Sequence, residues 1–136
     1  MIRGNSEMGG EKILIIDDNP VNIELASDLL KLHGFQMLQA RDAETGIEIA
    51  KVAIPDLILM DIQLPGMDGL EATRRLRENA ATRNVPIVAI TAFAMKGDEE
   101  KAMKAGCIGY LPKPINTRTF PETIRNYLRK TRKGLP

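Results

Sequence analysis

Four stretches of the chain end in residues able to do metal or phosphate chemistry. "ILIIDD" (Ile13–Asp18) closes an apolar run with two adjacent carboxylates, and "LILMD" (Leu57–Asp61) closes another with one. "VPIVAIT" (Val85–Thr91) ends in a hydroxyl, and "IGYLPKP" (Ile108–Pro114) carries Lys113. Adjacent like charges repel, so an acid pair at the end of a buried-looking run calls for a cation or a paired network. Clustered carboxylates are hard oxygen ligands suited to Mg2+. A carboxylate can also attack phosphorus to give an acyl phosphate. The transferred phosphoryl group spreads its charge over its equatorial oxygens. A metal, the Lys113 amine, and the Thr91 hydroxyl or nearby backbone N–H groups can each meet one of them.

Every one of these residues also has a plainer reading. Asp18 or Asn19 can cap the helix that Pro20 opens. Asp61 can cap the loop after it. Thr91 alone is an ordinary strand residue, and Lys113 alone is a solvated lysine. Asp56 and Asp68, beside Pro55 and Gly69, read as turn residues, and Tyr110 reads as packing. The force of the set is that it recurs at one end of successive elements.

Those elements alternate. Continuous apolar runs over 12–17 and 55–61 mark strands covered on both faces, and further strands are read over 35–40, 85–91 and 108–114. Between them lie amphipathic helices. The first opens at Pro20, places Val21, Leu25, Leu29 and Leu32 on its inner face and ends at Gly34. The others cover 42–53, with Asp42 near the N-cap, then 70–79, 97–106 and 119–130. In the last, Thr119 and Glu122 fit a capping box, and Ile124, Tyr127 and Leu128 form the inner stripe. Five strand-then-helix repeats imply an α/β fold with a parallel sheet, helices on both faces and right-handed crossovers. Ligands of such sheets bind at the carboxyl ends of the strands, where Asp17, Asp18, Asp61, Thr91 and Lys113 all fall.

Composition narrows the classes. The chain has 136 residues, 43% hydrophobic and 27% charged, with 19 basic and 18 acidic side chains and a net charge of +1. That is one globular domain with no basic excess for nucleic acid. One cysteine, Cys107, and one histidine, His33, exclude a disulfide framework and the usual zinc site. No run approaches the roughly 20 apolar residues of a membrane span, and no signal-peptide core opens the chain, so the expected location is cytoplasmic. Neither G-x-G-x-x-G after the first strand nor G-x-x-x-x-G-K-[ST] occurs, which argues against a dinucleotide enzyme or a nucleoside triphosphatase. Residues 1–11 read as a flexible tail, 12–130 as the domain and 131–136 as a basic tail.

On "IDD" (Ile16–Asp18), "LILMDIQLPGMDG" (Leu57–Gly69), "ITA" (Ile90–Ala92) and "GYLPKP" (Gly109–Pro114), the chain resembles the receiver domain of bacterial two-component response regulators. "LLKLHGFQMLQA" and "TAFAMKGDEEKAMKAGC" are similar to DivK-type single-domain regulators and to receivers of hybrid histidine kinases. The resemblance implies a flavodoxin-like (CheY-like) three-layer sandwich with strand order 2-1-3-4-5. It implies Asp61 as phosphoacceptor, supplied by the phosphohistidine of a histidine kinase or histidine phosphotransfer protein. Mg2+ is then held by Asp18, Asp61 and the backbone carbonyl of Gln63, with Asp17 orienting a metal-bound water. Lys113, positioned by a cis peptide to Pro114, contacts the phosphoryl group. Thr91 and Tyr110 act as the switch pair, which overrides the packing reading of Tyr110. The implied output is a protein partner on the face of the fourth helix, fifth strand and fifth helix, from a monomer or weak dimer. Gln63 and Phe93 fall at positions that tune dephosphorylation.

The resemblance leaves open a stand-alone regulator or a receiver excised from a hybrid histidine kinase. Other classes fit less well. A Mg2+-dependent aspartyl phosphohydrolase commonly has a second acid two residues after its nucleophile, where this chain has Gln63. A degenerate scaffold has no need of the full residue set, and a flavin carrier no need of charged strand ends.

Overall fold

The computed structural model describes residues 10–92 and 97–133. Five strands, β1 (Lys12–Ile16), β2 (Gln36–Ala40), β3 (Leu57–Asp61), β4 (Ile87–Thr91) and β5 (Gly109–Pro112), alternate with five helices. These are α1 (Pro20–Leu32), α2 (Ala43–Ala53), α3 (Gly69–Glu78), α4 (Asp98–Ala105) and α5 (Phe120–Lys133). All pairings are parallel and the order is β2-β1-β3-β4-β5, the expected doubly wound sheet. Among the described residues no helix is long and apolar enough to cross a membrane.

The period-2 alternation of a strand explains the layers. Leu14, Ile16, Ile58, Met60, Ile87 and Ala89 point to one face, where Ala50 of α2, Leu76 of α3 and Ala102 of α4 cover them. Ile13, Ile15, Leu57, Leu59, Val88 and Ile90 point to the other, beneath Leu30 of α1 and Ile124 and Leu128 of α5. Both faces of β3 and β4 are closed, so the runs that encode them are continuously apolar. Each fully buried Leu or Ile contributes about 1.5–3 kcal/mol.

Caps fix where the helices start. The Asn19 side chain accepts from the N–H groups of Val21 and Asn22, Asp42 from that of Thr45, and Asp68 from that of Glu71. Asn19 rather than Asp18 is therefore the cap of α1, with Pro20 at its first position. Asp68 is a cap rather than a mere turn residue. Asp56 ties the start of β1, accepting from the Lys12 N–H at 2.8 Å.

Three sequence expectations change. The buried face of α1 is Ile23, Ala26, Ser27 and Leu30, while Val21 is 73% and Leu32 80% exposed. Leu29 of the expected stripe is half-buried and does pack against the core, but the centre of that stripe lies nearly half a turn from the buried face at 3.6 residues per turn. The capping box of α5 does not close: Glu122 pairs with Arg125 and Arg129, and the Thr119 N–H donates to the Asn116 carbonyl. Gly10 and Glu11, assigned to the tail, join the fold, because Gly10 donates to the Gly34 carbonyl and the Glu11 carbonyl accepts from the Gln36 N–H.

Candidate functional site

The carboxyl ends of β1, β3, β4 and β5 lie side by side, and the fold brings their polar residues to one edge. Asp17 follows β1 directly and is 1% exposed; Asp61 is the last residue of β3 and 4% exposed. Asp18 turns outward to solvent. One carboxylate oxygen from each of Asp17, Asp18 and Asp61 lies within 4.8 Å of the others. Lys113 reaches in from the end of β5, placing Nζ 2.9 Å from Asp17 Oδ2 and 3.0 Å from Asp61 Oδ2. Its backbone N–H donates to the Thr91 carbonyl at 2.8 Å, which fixes the loop to β4. The Lys113–Pro114 peptide is cis, as the resemblance implies.

Every oxygen of the two buried acids has a donor. Asp17 Oδ1 accepts from the Asn19 N–H at 2.9 Å, and Asp17 Oδ2 accepts from Asn22 Nδ2 at 2.6 Å as well as from Lys113. Asp61 Oδ1 accepts from the Gln63 N–H at 2.9 Å, so Asp61 does cap its loop. Burial pushes the Asp61 carboxyl up to about 6, with the Asp17 charge adding to it and Lys113 and the Gln63 N–H opposing. Burial alone would lower the Lys113 ammonium, but its bonds to Asp17 and Asp61 outweigh that and raise it.

The charge count decides what this edge can hold. Among the described residues three carboxylates face one ammonium, an excess of negative charge at a largely buried position. Lys113 offsets part of the repulsion expected from the sequence, not all of it. A hard divalent cation fits this oxygen set, with room left for waters or a phosphate oxygen.

Thr91 ends β4 at 1% exposure. Tyr110 packs against the α2–α3–α4 face of the sheet, and its hydroxyl is enclosed with no hydrogen-bond partner among the described residues. Burial, then the charges of Asp98 and Glu99 on α4, push that phenol up. Phe93 lies outside the described residues.

Two site residues were not found by reading the sequence. Asn22 reaches back from the first turn of α1 to Asp17. It stands three residues after the cap, where a polar side chain commonly folds back toward the helix start. Gly69 opens α3 against the Asp61 backbone: a Cβ there would collide with the Asp61 carbonyl oxygen. The "MDG" that ends in Gly69 signals a turn, but its closeness to Asp61 is a tertiary fact.

Comparison with known proteins gives this geometry its family. The response regulator receiver domain family matches residues 13–125. The chain therefore belongs to the response regulator receiver domains. It is 43% identical over 118 residues to the polar-differentiation response regulator DivK of Brucella ovis, covering 87% of this chain and 96% of that one. A CheY-like receiver domain protein from Methanospirillum hungatei superposes with a TM-score of 0.84 at 26% identity, over 92% of this chain and 98% of the other. The receiver domain of a sensor histidine kinase from Pseudomonas aeruginosa, solved with magnesium coordinated in its active-site cleft, gives a TM-score of 0.81 at 35% identity, over 89% of this chain and 99% of that one. The protein is thus a two-component signalling domain of the CheY-like fold rather than a conventional enzyme.

Proposed function

We propose that this receiver accepts a phosphoryl group on Asp61 from the phosphohistidine of a histidine kinase or histidine phosphotransfer protein. The observation that carries the reading is the buried Asp17–Asp61 pair sharing one Lys113 ammonium, with Asp18 beside it. An Asp61 oxygen forms the new bond to phosphorus while the P–N bond to the imidazole breaks and its electron pair returns to the ring nitrogen. Asp18, Asp61 and the Gln63 backbone carbonyl are the residues that would hold Mg2+, with Asp17 behind them orienting a bound water. The ion supplies charge neutralisation at the phosphoryl oxygens. Lys113 moves its ammonium from the carboxylate pair to a phosphoryl oxygen, and the Thr91 hydroxyl meets another.

The finer reading follows the same residues. Thr91 and Tyr110 form the switch pair, with the enclosed Tyr110 ring repacking as Thr91 moves. The changed face is α4, β5 and α5, which meets a downstream protein. The domain assists its own phosphorylation and dephosphorylation, works in the cytoplasm, and is a monomer or weak dimer; light scattering over a concentration series checks the last point. The main test is label transfer from a radiolabelled histidine phosphotransfer protein. Label should reach the wild type only with Mg2+ present and should not reach Asp61→Asn. Equal labelling of Asp61→Asn would refute the assignment.

A further inference from the structure

In the structure Asp17 Oδ2 has two donors, the charged Lys113 Nζ at 2.9 Å and the neutral Asn22 Nδ2 at 2.6 Å. Only one of them is shared: Lys113 also serves Asp61. Asn22 is the third residue of α1, whose start is firmly capped by the Asn19 side chain holding the N–H groups of Val21 and Asn22. Its amide is therefore delivered from a rigid turn. Asp17 is 1% exposed, so an oxygen that loses its donor finds no ready replacement from water.

We propose that Asn22 is a positioning residue for the metal and phosphoryl site, acting through Asp17. The inference rests on the phosphoacceptor reading above. When Lys113 turns to the phosphoryl group, Asp17 gives up the one ammonium contact it has among the described residues. Asn22 keeps Oδ2 bonded through that exchange, and the Asn19 N–H keeps Oδ1 bonded, so the carboxylate stays aimed and charged. A neutral donor suits this role. It holds the oxygen without cancelling the negative charge that attracts the cation, whereas a second lysine or arginine there would compete with the metal. Partners of this kind typically change metal affinity or activity by about 10–100-fold when removed.

The test compares wild type, Asn22→Leu and Asn22→Gln. Leucine keeps the approximate volume and removes the donor; glutamine keeps a donor on a longer arm. Calorimetric Mg2+ titration, thermal melting of the metal-free protein, and the rate of adduct formation with acetyl phosphate are measured on each. The account expects Asn22→Leu to weaken Mg2+ binding about tenfold and to slow adduct formation by at least as much, with Asn22→Gln recovering part of both. In the metal-free wild type, the Asn22 side-chain amide protons should show a carboxylate-type downfield NMR shift that Asp17→Asn removes. Mg2+ affinity within twofold of wild type in Asn22→Leu, whether or not its melting temperature falls, would overturn the positioning role. Failure of wild type itself to form an adduct would count against the phosphoacceptor reading instead.

Discussion

The two ends of the same sheet solve their electrostatics in opposite ways. At the amino ends of the strands, cations are spent on backbone carbonyls. Lys12 Nζ donates to the Ala53 carbonyl, and the Arg77 guanidinium spans the carbonyls of Gly106, Arg83 and Val85. Asp56 in turn accepts the Lys12 N–H. Lys12 thus ties β1 to the loop before β3, and Arg77 staples together the loops that precede β4 and β5. At the carboxyl ends the ratio is reversed: among the described residues one ammonium serves two buried carboxylates with a third close by. The first end is arranged for stability. The second carries an excess of negative charge that a bound cation or a proton on Asp61 relieves, and a divalent ion held there can in turn attract a phosphoryl group.

If this contrast is right, changes at the two ends have different signatures. The largest effect belongs to Asp61→Asn, which removes the nucleophile and should abolish adduct formation while leaving the fold intact. Arg77→Met comes next. It leaves the part-buried carbonyls of Gly106 and Val85 without their side-chain donor, at about 1–3 kcal/mol for each unsatisfied group. Urea unfolding should show the whole molecule destabilised by about 2–4 kcal/mol, with Mg2+ affinity unchanged. A matching loss of Mg2+ affinity would erase the distinction between the ends.

The charged end makes a pH prediction whose sign is fixed by Asp61. Its folded-state value is raised from 3.8 to about 6, so between those values the folded state holds its proton more tightly than the unfolded chain. Stability contributed by that proton is present below the unfolded value and is lost as pH rises through about 6. Metal-free wild type should therefore lose about 1–3 kcal/mol between pH 4 and pH 6 relative to Asp61→Asn, since one pKa unit is about 1.4 kcal/mol. Saturating Mg2+ should reduce the difference above pH 6, because the ion competes with the proton for the same oxygens. Chemical denaturation across that pH range measures both.

The packing beneath the site is checked on α1, where a buried and an exposed leucine should differ and the exposed one gives the smallest effect of all. Leu30→Ala should cost about 2–5 kcal/mol, as for buried leucines in general. Leu32→Gln, at an 80% exposed position, should stay within about 0.5 kcal/mol. Thermal melts separate the two.

That helix also marks the limit of what could be read from the chain. The strand ends were legible because each is local: an apolar run followed within a residue or two by Asp17, Asp61, Thr91 or Lys113. The parallel sheet followed from the alternation of elements, while the strand order came with the family resemblance. In α1, by contrast, apolar residues lie on both sides. Val21, Leu25, Leu29 and Leu32 make the more hydropathic stripe, but the sheet takes the face bearing the small Ala26 and Ser27, which allow close approach. Small residues carry little hydropathy signal, so the stronger pattern misled. Asn22 and Arg77 were missed for another reason. Arg77 acts on Gly106, 29 residues away, and Asn22 acts on a carboxylate whose orientation only the folded loop defines. The α5 capping box failed because Glu122 found Arg125 and Arg129, charge partners on its own helix.

The most direct test of the central claim is intact-mass measurement after incubation with acetyl phosphate, with and without Mg2+, on wild type and Asp61→Asn. The account predicts a gain of about 80 Da, the mass of one phosphoryl group bound as an acyl phosphate, in wild type with Mg2+ and in neither control. An adduct that persists in Asp61→Asn, or that forms equally well without metal, would contradict it.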